Sequence, residues 1–359
     1  MTQRQRVIGF WLGALVAAVF LFFLFKPILL PFVAGAVLAY GLDPLADRLE
    51  RQELSRPVAT MVLVTAILLS LVVIVLLLIP LLLTQFFDLL EALPDFLVRL
   101  QELFGSALES DWARFLGIDP ESIRGSVTTF MGQGIDLATA VLGSLWTGGR
   151  AVVDVVSLLI VTPFVAYYLL RDWDSIVAWV DNMLPRDQAP DIRRLAREID
   201  DKVAAFVRGQ VLVGFLLGCF YAAGLMLIGL NYGLLIGLTA GILSFIPYLG
   251  FAVGFAVSIA IAVVQYWPDW IWIVATVAVF MVGQLLEGYV LQPRLLGKRV
   301  GLHPVWLIFA LFAAGYLFGF LGLLLAVPLA AAVGVLLRYA LERYRQSPFY
   351  QGTGPADPT

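Results

Sequence analysis

The stretch Leu234–Gln265, LLIGLTAGILSFIPYLGFAVGFAVSIAIAVVQ, is apolar throughout and broken only at Pro247-Tyr248-Leu249-Gly250. At about 20 residues per bilayer crossing, this run of roughly thirty is too long for one span and slightly short for two comfortable ones. It therefore reads as a hairpin broken in its middle. Val211–Ile228 before it reads as one span and Ile271–Tyr289 after it as another, leading to a basic loop from Gln292 to His303. Pro304–Leu337 is a second overlong run, with breaks expected around Gly315–Gly322 and again at Pro328. The order is span, broken hairpin, span, broken hairpin, with the two hairpins entered from opposite sides. That pattern is the signature of inverted-topology repeats, in which solute binds near the midplane where broken helices meet.

Composition agrees. Of 359 residues, 61% are hydrophobic and 14% charged, and the mean hydropathy is +0.93. These values lie outside the soluble range and predict an all-α integral membrane protein. A net charge of -3 argues against a nucleic-acid partner. Cys219 and His303 are each the only residue of their type, which excludes a disulfide framework and a Cys/His metal cluster. No phosphate-cradling Gly-Lys loop and no nucleophile–base set is present, so the sequence predicts neither an enzyme nor a bound cofactor.

Upstream, Val7–Phe25 and Phe32–Leu42 read as an uncleaved helical hairpin turning at Lys26, Pro27 and Pro31, and Val58–Leu83 as a third span. The expected domains are N-terminal membrane helices (1–83), an extracytoplasmic amphipathic segment (84–149) and a transmembrane helix (150–170). A cytoplasmic amphipathic segment (171–208), a transport core with two hairpins (209–340) and a disordered cytoplasmic tail (341–359) follow. In the fourth of these, Ile192, Leu195, Ile199, Val203 and Phe206 share one helical face. Of the 23 Lys and Arg, only Lys26, Arg99, Arg114, Arg124 and Arg150 fall outside the cytoplasm in this threading, which places both termini inside.

Gly229, Gly233, Gly237 and Gly241 recur every fourth residue, and Gly214/Gly218, Gly250/Gly254 and Gly315/Gly319 repeat the spacing. Such ridges either let helices approach closely or serve as sliding surfaces. Glu287 is an ionisable group within a span, with Gln284 one turn earlier. It either lines a solute path or reaches the interface to pair with Arg294, Lys298 or Arg299. Asp154, one turn from Arg150, reads as an interfacial pair, and His303 before Pro304 as a structural helix start.

At these residues a resemblance becomes specific. Ser244-Phe245-Ile246-Pro247-Tyr248-Leu249-Gly250, the segment from Leu286-Glu287-Gly288-Tyr289 through Gln292-Pro293-Arg294-Leu295-Leu296-Gly297-Lys298-Arg299 to His303-Pro304, and Gly319-Phe320-Leu321-Gly322 through Pro328-Leu329 together resemble the bacterial autoinducer-2 exporter family of multi-pass permeases. The similarity extends over nearly the whole chain. It implies an inner-membrane protein of about eight hydrophobic segments with hairpins in its C-terminal half. It also implies a homo-oligomer, with a pentamer among the candidate states.

Three functions follow. The first is a permease exporting a small polar solute, with autoinducer-2, the quorum-sensing furanone, as leading candidate. The second is a sodium(lithium)/proton antiporter with Glu287 as the exchanging acid. The third is a non-transporting membrane scaffold. The candidate path takes in Glu287, Gln284, Gln292 and Arg294, with Pro247, Tyr248, Gly250, Gly319 and Gly322 at the hairpin breaks.

Overall fold

A computed structural model describes residues 25, 29–108, 129, 132, 149–296 and 303–351. The span at Val7–Phe25 up to residue 24, most of the segment 109–148, Lys298, Arg299 and the tail beyond 351 lie outside the described residues. The described chain is helical, with no strand among the described residues. In order come α1 (Leu29–Glu50), α2 (Arg56–Leu108), α3 (Gly149–Asn182), α4 (Ala189–Ile228), α5 (Gly233–Leu243), α6 (Leu249–Tyr266), α7 (Trp270–Leu285), a π-helical extension of α7 (Leu286–Leu296), α8 (Pro304–Phe318), α9 (Phe320–Arg345) and a short α10 (Pro348–Gln351). Six helices among the described residues are long and apolar enough to cross a membrane, and α5 and α8 are shorter apolar helices. The protein is thus an all-α, multi-pass membrane protein.

The chain divides into two compact units. One comprises Met1–Thr65, Ser157–Arg208 and Leu296–Thr359, and the other Ala66–Val156 and Gly209–Leu295.

In the second unit the second half of α4 packs against α5, backbone to backbone. A methyl group built on Gly237 would stand 2.2 Å from the Ala222 nitrogen, and one on Gly241 would stand 2.3 Å from Gly218 Cα. Gly233, Gly237 and Gly241 therefore form the surface through which α5 touches α4, and without them the backbones would have to separate. The turn from α4 to α5 closes on Gly229, at φ 79, with Leu230 N donating to Leu225 O and Gly229 N to Met226 O, both at 3.0 Å. This is a left-handed helix end, the conformation glycine adopts without steric cost. The freed carbonyls find partners on α6: Gln265 donates to Gly229 O at 2.8 Å and Tyr266 to Ile228 O at 2.9 Å. At the start of α5, Leu235 N donates to Gln85 Oε1 of α2 at 3.0 Å.

The α5–α6 link, Ser244 to Tyr248, is where the sequence placed a break. The last turn tightens, with Phe245 N donating to Ile242 O and Ile246 N to Leu243 O. Pro247 has no N–H to continue it, and Tyr248 turns to φ 68. Buried Gln210 of α4 donates its amide to Ser244 O. A polar side chain thus meets a carbonyl that would otherwise be orphaned in an apolar setting.

In the first unit Arg56 is 13% exposed and holds three acids of α1: Asp43 at 2.7 Å, Asp47 at 2.5 Å and Glu50 at 3.2 Å. Its Nε donates to Leu170 O of α3 at 3.3 Å. The polar half of α4 is tied to α9, where Asp191 accepts from Tyr339 at 3.0 Å and Arg343 at 3.3 Å. The α8–α9 hairpin bends at Gly319 alone, at φ 64 and ψ −142, a conformation restricted to glycine.

Several local boundaries differ from the sequence expectation. The break expected at Pro328 is absent, and α9 continues through that residue. A proline withdraws one donor and crowds one carbonyl, and here Ala326, Val327 and Ala331 are buried around it, so packing holds the helix together across the missing bond. The amphipathic stretch 191–206 and the span 211–228 form one continuous helix, α4. Arg208-Gly209 between them has the form of a helix stop, yet Gly209 and Gln210 are buried within α4 and the helix runs on through them. Likewise α2 runs on past Leu83, and the beginning of the expected basic loop, Gln292–Leu296, is still helical.

Candidate functional site

Residues 280, 283, 284 and 287 recur at helical spacing and share one side of α7. Tyr221 of α4 lies against that side, stacked on Phe280 with ring centroids 4.6 Å apart. Phe251 and Phe255 of α6 complete the cluster, at 6.2 and 5.7 Å from Phe280. Gly283 is what lets Tyr221 in. A methyl group there would stand 2.2 Å from Tyr221 Cε1 and 2.6 Å from its hydroxyl oxygen.

The polar ends of this cluster are not mutually satisfied. The hydroxyl of fully buried Tyr221 and the Oε1 of Gln284 are both buried without a hydrogen-bond partner. Buried polar atoms nearly always have one, and leaving one unpaired costs roughly 1–3 kcal/mol. Ser258 Oγ on α6 is a third such atom. Glu287, one turn beyond Gln284, is half-buried.

Glu287 sits at the start of the π-helical stretch. Its Oε1 accepts from Gln292 Nε2 at 3.2 Å. The two are five residues apart, which an ordinary α-helix would place on different faces and the wider π turn brings together. π segments within α-helices recur at functional sites. Among the described residues no cation lies within ion-pair distance of Glu287. Arg294 is exposed, and Lys298 and Arg299 lie outside the described residues.

The structure thus brings Glu287, Gln284 and Gln292 together. Pro247, Tyr248 and Gly250 form a separate locus at the α5–α6 link in the same unit. There Tyr248 is 58% exposed, and Gly250 packs so closely that a methyl group would stand 2.3 Å from Ala240 O. Gly319 and Gly322 belong to the other unit, at the α8–α9 bend. His303 caps α8 through Nδ1, which accepts from Val305 N at 3.3 Å, a structural use of the side chain. The side chains of Arg150 and Asp154 are outside the description.

Sequence reasoning missed Tyr221 and Gln210. Tyr221 sits in an apolar run where an aromatic reads as filler, and its partner Gly283 is 62 positions away. The available signal for Gln210 was a lone amide at the mouth of a span.

Residues 10–342 match the family model described as AI-2E family transporter. YrrI of Bacillus subtilis, provisionally named a transport protein, is 26% identical over 319 residues, covering 88% of each chain. YueF of the same organism, provisionally named likewise, is 25% identical over 322 residues, covering 87% of this chain and 85% of its own. PerM of Escherichia coli, provisionally named a permease, is 27% identical over 329 residues, covering 90% of each.

Proposed function

We propose that this chain, which belongs to the AI-2E transporter family, is a permease that exports a small polar solute across the bacterial inner membrane, with autoinducer-2 as the leading candidate. The observation that carries this reading is the unsatisfied polar cluster of the second unit. Tyr221 and Gln284 hold buried polar atoms without partners, beside a half-buried carboxylate on the same helix face. An apolar wall with a few unpaired hydrogen-bonding groups suits a hydroxylated solute, whose own donors and acceptors would meet them. Glu287, Gln284 and Gln292 line the path in this reading, and the breaks at Pro247-Tyr248-Gly250 and Gly319–Gly322 are the parts that move. Arg294 attracts the solute at the cytoplasmic mouth. Both termini face the cytoplasm, as the distribution of basic residues supports, and the working unit is a homo-oligomer.

The test is to reconstitute the protein in sealed vesicles and follow autoinducer-2 and internal pH together under an imposed gradient. The expected result is solute flux in the wild type that is lost in Glu287→Gln. No flux of this solute from active vesicles would remove autoinducer-2, and flux unchanged in the variant would remove Glu287 from the path.

A second reading rests on the carboxylate itself. Glu287 has an amide and no cation as its partner among the described residues, which suits a site exchanging sodium or lithium for a proton. Proton movement that requires either ion and proceeds without solute flux would favour it. A pH dye that ignores both ions would exclude it.

A further inference from the structure

A separate cavity in the first unit carries an inference independent of the Glu287 site. It measures about 70 Å³ and lies where α1, α3 and α4 meet, walled by Tyr40, Trp173, Asp43, Asp200 and Arg208. The Tyr40 and Trp173 rings stand edge to face with centroids 5.8 Å apart. Tyr40 donates its hydroxyl to Asp200, and Arg208 Nε donates to Tyr40 O at 3.0 Å.

Two carboxylates, Asp43 and Asp200, line this cavity together with Arg208. Arg56 is committed to Asp43, Asp47 and Glu50, and Arg208 reaches Asp43 at 3.8 Å. Lys202, two residues from Asp200, is paired with Glu198 at 3.0 Å. Asp200 is left with a neutral hydroxyl as its partner among the described residues.

We propose that this cavity binds a primary ammonium group, with Asp200 as its counter-ion and the Tyr40 and Trp173 rings as its walls. A carboxylate on a cavity walled by two aromatic rings offers an organic cation both charge and ring quadrupole. A primary ammonium can donate N–H bonds to the Asp200 carboxylate and a trimethylated one cannot, so the site favours the primary amine. Arg208 on the same wall would take an anion attached to that stem. A free amine and the ethanolamine phosphate headgroup of a lipid both present this chemistry.

The experiment is calorimetric titration of the full-length protein in phosphatidylglycerol nanodiscs with ethanolamine, choline and sodium chloride. The expected result is saturable binding of ethanolamine, with choline and sodium about tenfold weaker or undetectable. Asp200→Asn should weaken ethanolamine about tenfold, and Trp173→Leu severalfold. The second variant keeps the test open if the first does not fold. Repeating the titration in discs containing phosphatidylethanolamine separates the sources. Unchanged ethanolamine binding identifies a soluble amine as ligand, and binding lost by competition identifies the lipid headgroup. No saturable binding in phosphatidylglycerol discs, equal filling by sodium, or binding indifferent to both substitutions would overturn the proposal.

Discussion

The α5–α6 link is five residues long, Ser244 to Tyr248, and is supported by a side chain from another helix, whereas the α8–α9 link is the single residue Gly319. Both reverse a helix inside apolar sequence, where an unsatisfied backbone group costs several kcal/mol. The first does so by tightening its last turn and recruiting Gln210 for Ser244 O. The second does so by dihedral angle. Gly319 N donates to Gly315 O at 2.8 Å, and Gly319 O accepts from Leu323 N at 3.1 Å. One break therefore depends on chemistry supplied from α4, and the other on the absence of a side chain.

The largest expected effect is at Gly322, where a methyl group would fall 1.9 Å from Ala314 O. Backbone cannot yield as a side chain can, so Gly322→Ala should destabilise the detergent-solubilised protein by about 3 kcal/mol in thermal unfolding. Gly315→Ala is its control. The methyl there would meet the end of Leu323 at 2.8 Å, which can rotate away, and the cost should be under about 1 kcal/mol. Equal costs would mean that the two helices separate freely, and the dependence on close approach would be lost.

Next comes Gly319→Ala, which forces a Cβ into φ 64, ψ −142 and should cost about 2 kcal/mol. Gln210→Ala should follow at about 1.5 kcal/mol, the penalty for leaving Ser244 O buried and unpaired. The two substitutions differ in where they act. Hydrogen exchange should rise at residues 244–250 in Gln210→Ala and at 315–323 in Gly319→Ala. Exchange rising in the same segment for both would dissolve the distinction between an externally supported and a self-contained bend.

The positions of both bends were legible because proline and glycine act on the backbone itself, and Pro247 and the Gly315–Gly322 group mark them directly in the sequence. The glycine contacts between α4 and α5 were legible for the same reason. Helix ends in mixed-polarity sequence were not. At Thr84 and at Arg208–Gln210 the composition changes because the surroundings change, while the backbone hydrogen bonds run on through α2 and α4. Pro328 misled in the opposite direction, since a single lost donor does not end a helix whose flanks are packed. At the candidate site, Glu287 stood out as a lone acid in an apolar span. Tyr221 did not, because its significance comes from Gly283 and from a hydroxyl left without a partner.

The smallest expected effect is the sharpest test of the comparison. Tyr248 is a non-glycine residue at φ 68, in the left-handed region, a strain of about 1 kcal/mol. Glycine would relieve that strain and would give back a similar amount, roughly 0.5–1 kcal/mol, in chain entropy lost on folding. The side chain is 58% exposed, so little packing is surrendered. Tyr248→Gly should therefore leave unfolding within about 0.5 kcal/mol of wild type, against the clear loss at Gly319→Ala. A gain well above that margin would mean that the α5–α6 link stores strain, and that its tolerance of a tyrosine is sustained by the surrounding helices instead of by its own short turn.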